Sequence, residues 1–170
     1  MIKNIEKKRD TGSISETGDV SYRKSIRDYL RQVDLKNPFA ITLTMNTVKW
    51  MSHSRNFRHF MNRLNQSYLQ NSYRKYGNRL TVIPVKEENS TVSPHYHCVI
   101  DNPFPERDRE FVNLVKTCWK ETVLGQGQID IQRMVDFGWI DYMTKLEKKG
   151  NIADSIDWEN MVVPLRGRYI

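Results

Sequence analysis

Hydrophobic residues in this chain recur with two periods, and the switches between them predict its elements. Residues 39–45 alternate, with Ile41, Leu43 and Met45 set against Thr42 and Thr44, the pattern of a half-buried strand. Residues 54–73 change to helical spacing, where Phe57, Phe60, Met61, Leu64 and Tyr68 form one stripe and Gly77 supplies the stop. A second strand is expected over 79–86, with Pro84 demanding an edge position or a bulge. A third covers 95–101. Asn102-Pro103 and Pro105 then turn the chain into a helix over 106–124, which carries Phe111, Leu114, Val115 and Cys118 on one face and ends at Gly125 and Gly127. A fourth strand is expected over 128–135. Asp136 caps a last helix over 137–149, closed by Gly150.

Ahead of this run, residues 1 to about 20 are polar and short of apolar anchors, and read as a mobile arm or a loosely docked segment. A short helical pattern follows, with Ile26, Tyr29, Leu30 and Val33 at helical spacing and Asn37-Pro38 closing it. The order after that preface is β-α-β-β-α-β-α. It predicts an α+β fold: a ferredoxin-like, split β-α-β antiparallel sheet with helices packed on one face. The expected organisation is an arm and short helix over 1–37, a core domain over 38–150 and a tail over 151–170.

Composition narrows the class. A chain of 170 residues supports one domain with a real core. Its formal charge of +7 favours a polyanionic partner, nucleic acid or an acidic surface. No apolar run approaches the roughly 20 residues that span a bilayer, so no membrane partner is expected. The first residues lack the apolar stretch of a signal peptide. Cys98 and Cys118 have no ligand-like spacing and read as reduced core thiols of an intracellular, cytoplasmic protein. There is no phosphate-binding Gly-x-x-x-x-Gly-Lys-Ser/Thr run.

The candidate chemistry begins with His95-Tyr96-His97. On a strand the two imidazoles leave the same face roughly 7 Å apart, while Tyr96 and Cys98 point the other way. Two neutral imidazoles at that separation can converge on one divalent ion. Pairs of histidines also occur on polar strand faces without a metal. Here, however, they adjoin an apolar stretch, Cys98-Val99-Ile100, where unpaired polar rings would be disfavoured. A hard ion calls for a carboxylate as third ligand. Glu87 and Glu88 lie one hairpin away, and alternation allows only one of them onto the histidine face. Both stand as candidates, with Glu87 preferred.

On the last helix Tyr142, Lys145 and Lys149 share a stripe, opposite Trp139, Met143 and Leu146. Ammonium groups beside a phenol favour phenolate and can neutralise a phosphate, although amphipathic helices carry Tyr and Lys routinely. The charge layout is more telling. From Leu35 to Lys86 there is no Asp or Glu, whereas Lys49, Arg55, Arg58, Arg63, Arg74, Lys75 and Arg79 fall there, interleaved with asparagines and with Trp50, Tyr68, Tyr73 and Tyr76. Cations and stacking groups so mixed predict a phosphate-contacting, single-strand-compatible surface.

Three motifs, in order, resemble those of the HUH endonuclease superfamily, and within it the single-tyrosine rolling-circle replication initiators. Phe39-Ala40-Ile41-Thr42-Leu43-Thr44 is similar to the first motif, Pro94-His95-Tyr96-His97-Cys98-Val99-Ile100 to the second, and Tyr142-Met143-Thr144-Lys145 to the third. The resemblance spans residues 39–149. The conjugative relaxases differ in placing their tyrosine near the N-terminus and in a third histidine. The small HUH transposases typically carry Tyr-x-x-x-Gln, and the phage initiators a pair of tyrosines.

The resemblance implies a site-specific DNA nickase and ligase. His95, His97 and Glu87 or Glu88 would hold Mn²⁺ or Mg²⁺, Tyr142 would attack and remain joined to the 5′-phosphate, and Lys145 would steady the developing charge. Single-stranded DNA and an origin hairpin are the implied partners, contacted by the cations above and by Lys149, with a separate host helicase as a further partner. A eukaryotic viral source would move the location to the nucleus. Two readings compete: a transposase with the same chemistry, and a non-catalytic ferredoxin-like nucleic-acid-binding domain.

Overall fold

The computed structural model describes residues 16–49, 51–87, 93–144 and 152–164. Most of the expected arm, together with Trp50, Glu88, Lys145 and Lys149, lies outside the described residues. The elements, in chain order, are α1 (Glu16–Arg31), β1 (Pro38–Thr44), α2 (His53–Leu69), α3 (Asn71–Tyr76), β2 (Val82–Glu87), β3 (His95–Asp101), a 3₁₀ turn (Pro105–Arg107), α4 (Asp108–Lys120), β4 (Ile129–Arg133), α5 (Gly138–Thr144) and α6 (Ile152–Ser155).

The four strands form one sheet in the order β2-β3-β1-β4, with every neighbouring pair antiparallel. β1 and β2, joined through α2 and α3, therefore run parallel with β3 inserted between them. That is the split β-α-β sheet expected from the element order, and the fold is α+β. Its best-filled face is apolar. Phe39, Ile41, Leu43, Val82, Tyr96, Cys98 and Ile100 meet Phe57, Phe60 and Leu64 of α2 and Phe111, Val115 and Trp119 of α4. Phe57 stacks on Tyr96 at 4.4 Å between ring centroids, and Phe60 meets Trp119 edge-on at 5.5 Å.

Helices cover the other face as well, which differs from the one-faced packing predicted. Ile26, Leu30 and Val33 of α1 and Ile140 and Met143 of α5 are buried against Ile83, Val85 and Val99. Strand alternation explains the second layer: Ile83, Val85 and Val99 alternate with the first-face residues and need cover of their own. α1 also starts at Glu16, earlier than the apolar pattern indicated.

The predicted helix over 54–73 divides at Gln70, whose φ is 47°. The apolar stripe runs out at Tyr68, and α3 beyond the break buries no residue. Gly77 takes the left-handed φ of 68° and closes α3 through its N–H, as a C-terminal cap does. Gly127 is required for a different reason: a Cβ there would strike the Thr44 carbonyl.

Pro84 sits at the edge of the sheet, where its missing N–H costs no ladder bond. Its carbonyl accepts from Asp157 N at 3.0 Å. Residues 152–164 line this edge, with bridges Val82↔Val162 and Val85↔Ile156. The buried Asp157 carboxylate accepts from Tyr96 Oη, Asn160 Nδ2 and Ser54 Oγ at 2.6, 2.7 and 2.8 Å, which ties the segment to both β3 and α2. No described helix is long and apolar enough to cross a membrane.

Candidate active site

Register decides which side chains share the histidine face. His95 pairs with Glu87 on one side and Thr44 on the other, and His97 with Val85 and Thr42. Glu87, His95, His97 and Thr42 therefore emerge together, on the face opposite Tyr96 and Cys98. Among the described residues, Glu87, His95 and His97 form the cluster able to hold a metal, with one ligand atom from each within 4.8 Å of the others. Glu88 lies outside the described residues.

The imidazoles are aimed by their outer nitrogens. His95 Nδ1 is 3.0 Å from the Ser93 carbonyl, which can only accept, so Nδ1 carries the proton and Nε2 presents a lone pair. His97 Nδ1 is 3.1 Å from Thr42 Oγ1, which can accept in the same way. Both Nε2 atoms point at one oxygen of Glu87, at 3.2 Å from His95 and 3.1 Å from His97. Burial, reinforced by His95 beside it, pulls the His97 imidazole down to about 4, so it is neutral at physiological pH. The Glu87 oxygen can only accept, so a ring N–H bridges to it from His97 Nε2 unless a cation takes the place of that proton. The donor set thus fits a divalent metal, two imidazole nitrogens and one carboxylate with room for further ligands.

Helix α5 brings Tyr142 to this cluster. Its ring lies 5.5 Å from that of His97, nearly perpendicular, and stacks on Trp139 at 5.1 Å with 25° between planes. Trp139 is itself 5.5 Å from His97, and its indole N–H donates to the Cys98 carbonyl at 3.3 Å. Ile140 and Met143 face inward, leaving Tyr142 55% exposed beside the metal ligands. Sequence reasoning treated Trp139 only as packing and gave Thr42 no role. The signal for Thr42 was its alternation with Ile41 and Leu43, but its neighbour on β3 becomes visible only with the register. Lys145 and Lys149 fall outside the described residues.

The basic stretch is less uniform in space than along the chain. Arg58 pairs with Glu159 at 2.7 Å and donates to Asn160 at 2.9 Å, and Arg63 pairs with Glu121. Arg79 lies over the Tyr73 ring at 5.4 Å. Lys49, Arg55, Arg74 and Lys75 are exposed. Lys49 and Arg55 follow the end of β1 and so share the histidine end of the sheet. Arg74, Lys75 and Arg79 precede β2 and lie at the opposite end, about 25 Å away along α2.

No curated protein and no solved structure matches the chain. The family described as replication-associated protein ORF2 matches residues 38–151, well over half of it. The match takes in β1 with Thr42, the Glu87–His95–His97 cluster and α5 with Tyr142. The chain belongs to this family of replication-associated proteins.

Proposed function

We propose that the protein nicks and rejoins single-stranded DNA at a specific site to initiate rolling-circle replication, as an HUH-type enzyme with Tyr142 as nucleophile. The observation that carries this reading is the Tyr142 ring 5.5 Å from His97, within a replication-associated family. Glu87, His95 and His97 would hold Mn²⁺ or Mg²⁺. When bound, the ion polarises the scissile phosphodiester and offsets its charge.

The protein's own groups account for the rest. Thr42 and Ser93 keep the imidazoles turned so that Nε2 faces the site. Trp139 holds the phenol ring edge-on to His97. The Tyr142 oxygen forms a bond to phosphorus as it loses its proton, and the bond from phosphorus to the 3′-oxygen breaks. That oxygen takes up a proton and leaves as a free 3′-hydroxyl able to prime synthesis. The phosphotyrosine conserves the diester, so the reverse attack rejoins the strand. Lys145, three residues on in the Tyr-x-x-Lys motif, would stabilise the developing charge. Lys49 and Arg55 at the histidine end would contact phosphates next to the break, and an origin hairpin and a separate host helicase complete the partners.

The test is incubation of the full chain with single-stranded DNA carrying its natural origin stem-loop and Mn²⁺, followed by denaturing electrophoresis. A DNA–protein adduct that resists SDS is expected, and it should vanish in Tyr142→Phe and with chelator. No adduct from the wild-type chain would leave a non-catalytic nucleic-acid-binding domain. An adduct that survives Tyr142→Phe would move the nucleophile elsewhere.

A further inference from the structure

Among the described residues helix α5 runs from Gly138 to Thr144 and leaves Tyr142 exposed. Two grips from outside hold this stretch of α5, and with it the place of Tyr142. One grip is apolar, through Ile140 and Met143 packed with Ile26 and Leu30 of α1. The other is polar and brackets the tyrosine. Arg31 Nη2 donates to both carboxylate oxygens of Asp141, at 2.6 and 2.7 Å. Arg27 donates through Nε to Thr144 Oγ1 at 3.0 Å and through Nη2 to the Thr144 carbonyl at 3.1 Å. Asp28 of α1 lies 3.9 Å from Arg31 Nη1.

We propose that α1 is a splint for the nucleophile, with Arg27 and Arg31 as positioning residues that set Tyr142 against the metal cluster. The proposal rests on the reading of Tyr142 as nucleophile. α1 lies outside the segment 38–151 that matches the family. A planar guanidinium that engages two acceptors restrains direction as well as distance. Direction matters here because Tyr142 touches the cluster through ring edges and, among the described residues, has no hydrogen bond to the ligands. Displacement of a reacting group by about 1 Å costs on the order of 10²-fold in rate.

The experiment compares wild type, Arg31→Gln, Arg27→Gln/Arg31→Gln, and the exchanged pair Arg31→Asp/Asp141→Arg in the full chain. Three readouts are taken: the single-turnover rate of adduct formation, Mn²⁺ and DNA affinity, and amide hydrogen exchange over 138–144. The double glutamine variant should lose about 10²-fold in rate, keep wild-type Mn²⁺ and DNA affinity, and exchange faster over 138–144 alone. The exchanged pair should recover most of what Arg31→Gln by itself loses. A wild-type rate in the double variant overturns the proposal, and so does a parallel loss of Mn²⁺ affinity, which would mean general disruption. If the wild-type chain forms no adduct, the nicking reading fails by itself. The exchange measurement then decides the splint alone, and unchanged protection over 138–144 overturns it.

Discussion

The two faces of the sheet are made by the same strands and serve opposite ends. On one face Tyr96, Cys98 and Ile100 of β3 continue into an apolar layer with α2 and α4 in which Phe57, Phe60 and Trp119 have no solvent access. On the other, His95, His97 and Val99 alternate with them; α1 and α5 close over Val99, and Trp139 and Tyr142 of α5 lie against His97. The filled face carries stability because its residues meet partners everywhere. The second face carries chemistry because α5 covers it there with Trp139 and Tyr142, setting an exposed phenol beside two imidazoles and a carboxylate. Alternation lets one seven-residue strand do both, and mutations on the two faces should separate cleanly.

The largest expected effect lies on the filled face. Phe57 is fully buried and stacked on Tyr96, and Phe57→Ala should lower unfolding stability by about 3–5 kcal/mol. Denaturant titration measures this. The fraction that stays folded should bind Mn²⁺ with wild-type affinity. A large fall in that affinity at a temperature where the variant is still folded would show that the faces are coupled through β3.

How much of this division was readable beforehand follows from what periodicity encodes. The common face of His95 and His97, the opposite face of Tyr96, and the edge position of Pro84 are properties of a single strand, and two-residue alternation suffices for them. The β-α-β-β-α-β order likewise sufficed for the sheet. Properties of strand pairs did not come through. The choice of Glu87 depends on the register that sets it opposite His95, and the Thr42–His97 contact depends on β1 lying beside β3. The second helical layer was missed because α1 is amphipathic without saying which face it seeks. The edge pairing of Val82 with Val162 was missed because single bridges leave no pattern. The acid-free stretch overstated the free positive charge, since Glu121 and Glu159 reach Arg63 and Arg58 from distant parts of the chain.

A smaller and more local effect is expected at Thr42. Replacement by Val keeps the shape and removes the partner of His97 Nδ1. Loss of such an orienting contact typically weakens metal binding by about 10–100-fold. Calorimetric titration with Mn²⁺ should show that loss, with unfolding stability changed by less than about 1.5 kcal/mol. Thr42→Ser keeps the hydroxyl and should retain the affinity. Equal losses in the two variants would assign Thr42 to packing and return its part in the site to the filled side of the comparison.

The most gradual effect is a slope with pH in the metal-free protein. His97 is held at about 4 in the fold, against about 6.5 for a free imidazole in the unfolded chain. Between those values the unfolded chain binds the extra proton. This contribution to stability is therefore complete above about pH 6.5 and is lost as the pH falls toward 4. Glu87, 3.1 Å from Nε2, draws the other way by favouring the imidazolium. Burial and the neighbouring His95 outweigh it. His97→Gln cannot take up that proton. The difference in unfolding stability between wild type and His97→Gln should therefore shrink across that window in favour of the variant, and level off above it. Any variant of the filled face should instead run parallel to wild type at all pH values. A wild-type curve parallel to His97→Gln through the window would mean that Glu87 dominates at His97, and that the open face holds its imidazole no differently from water.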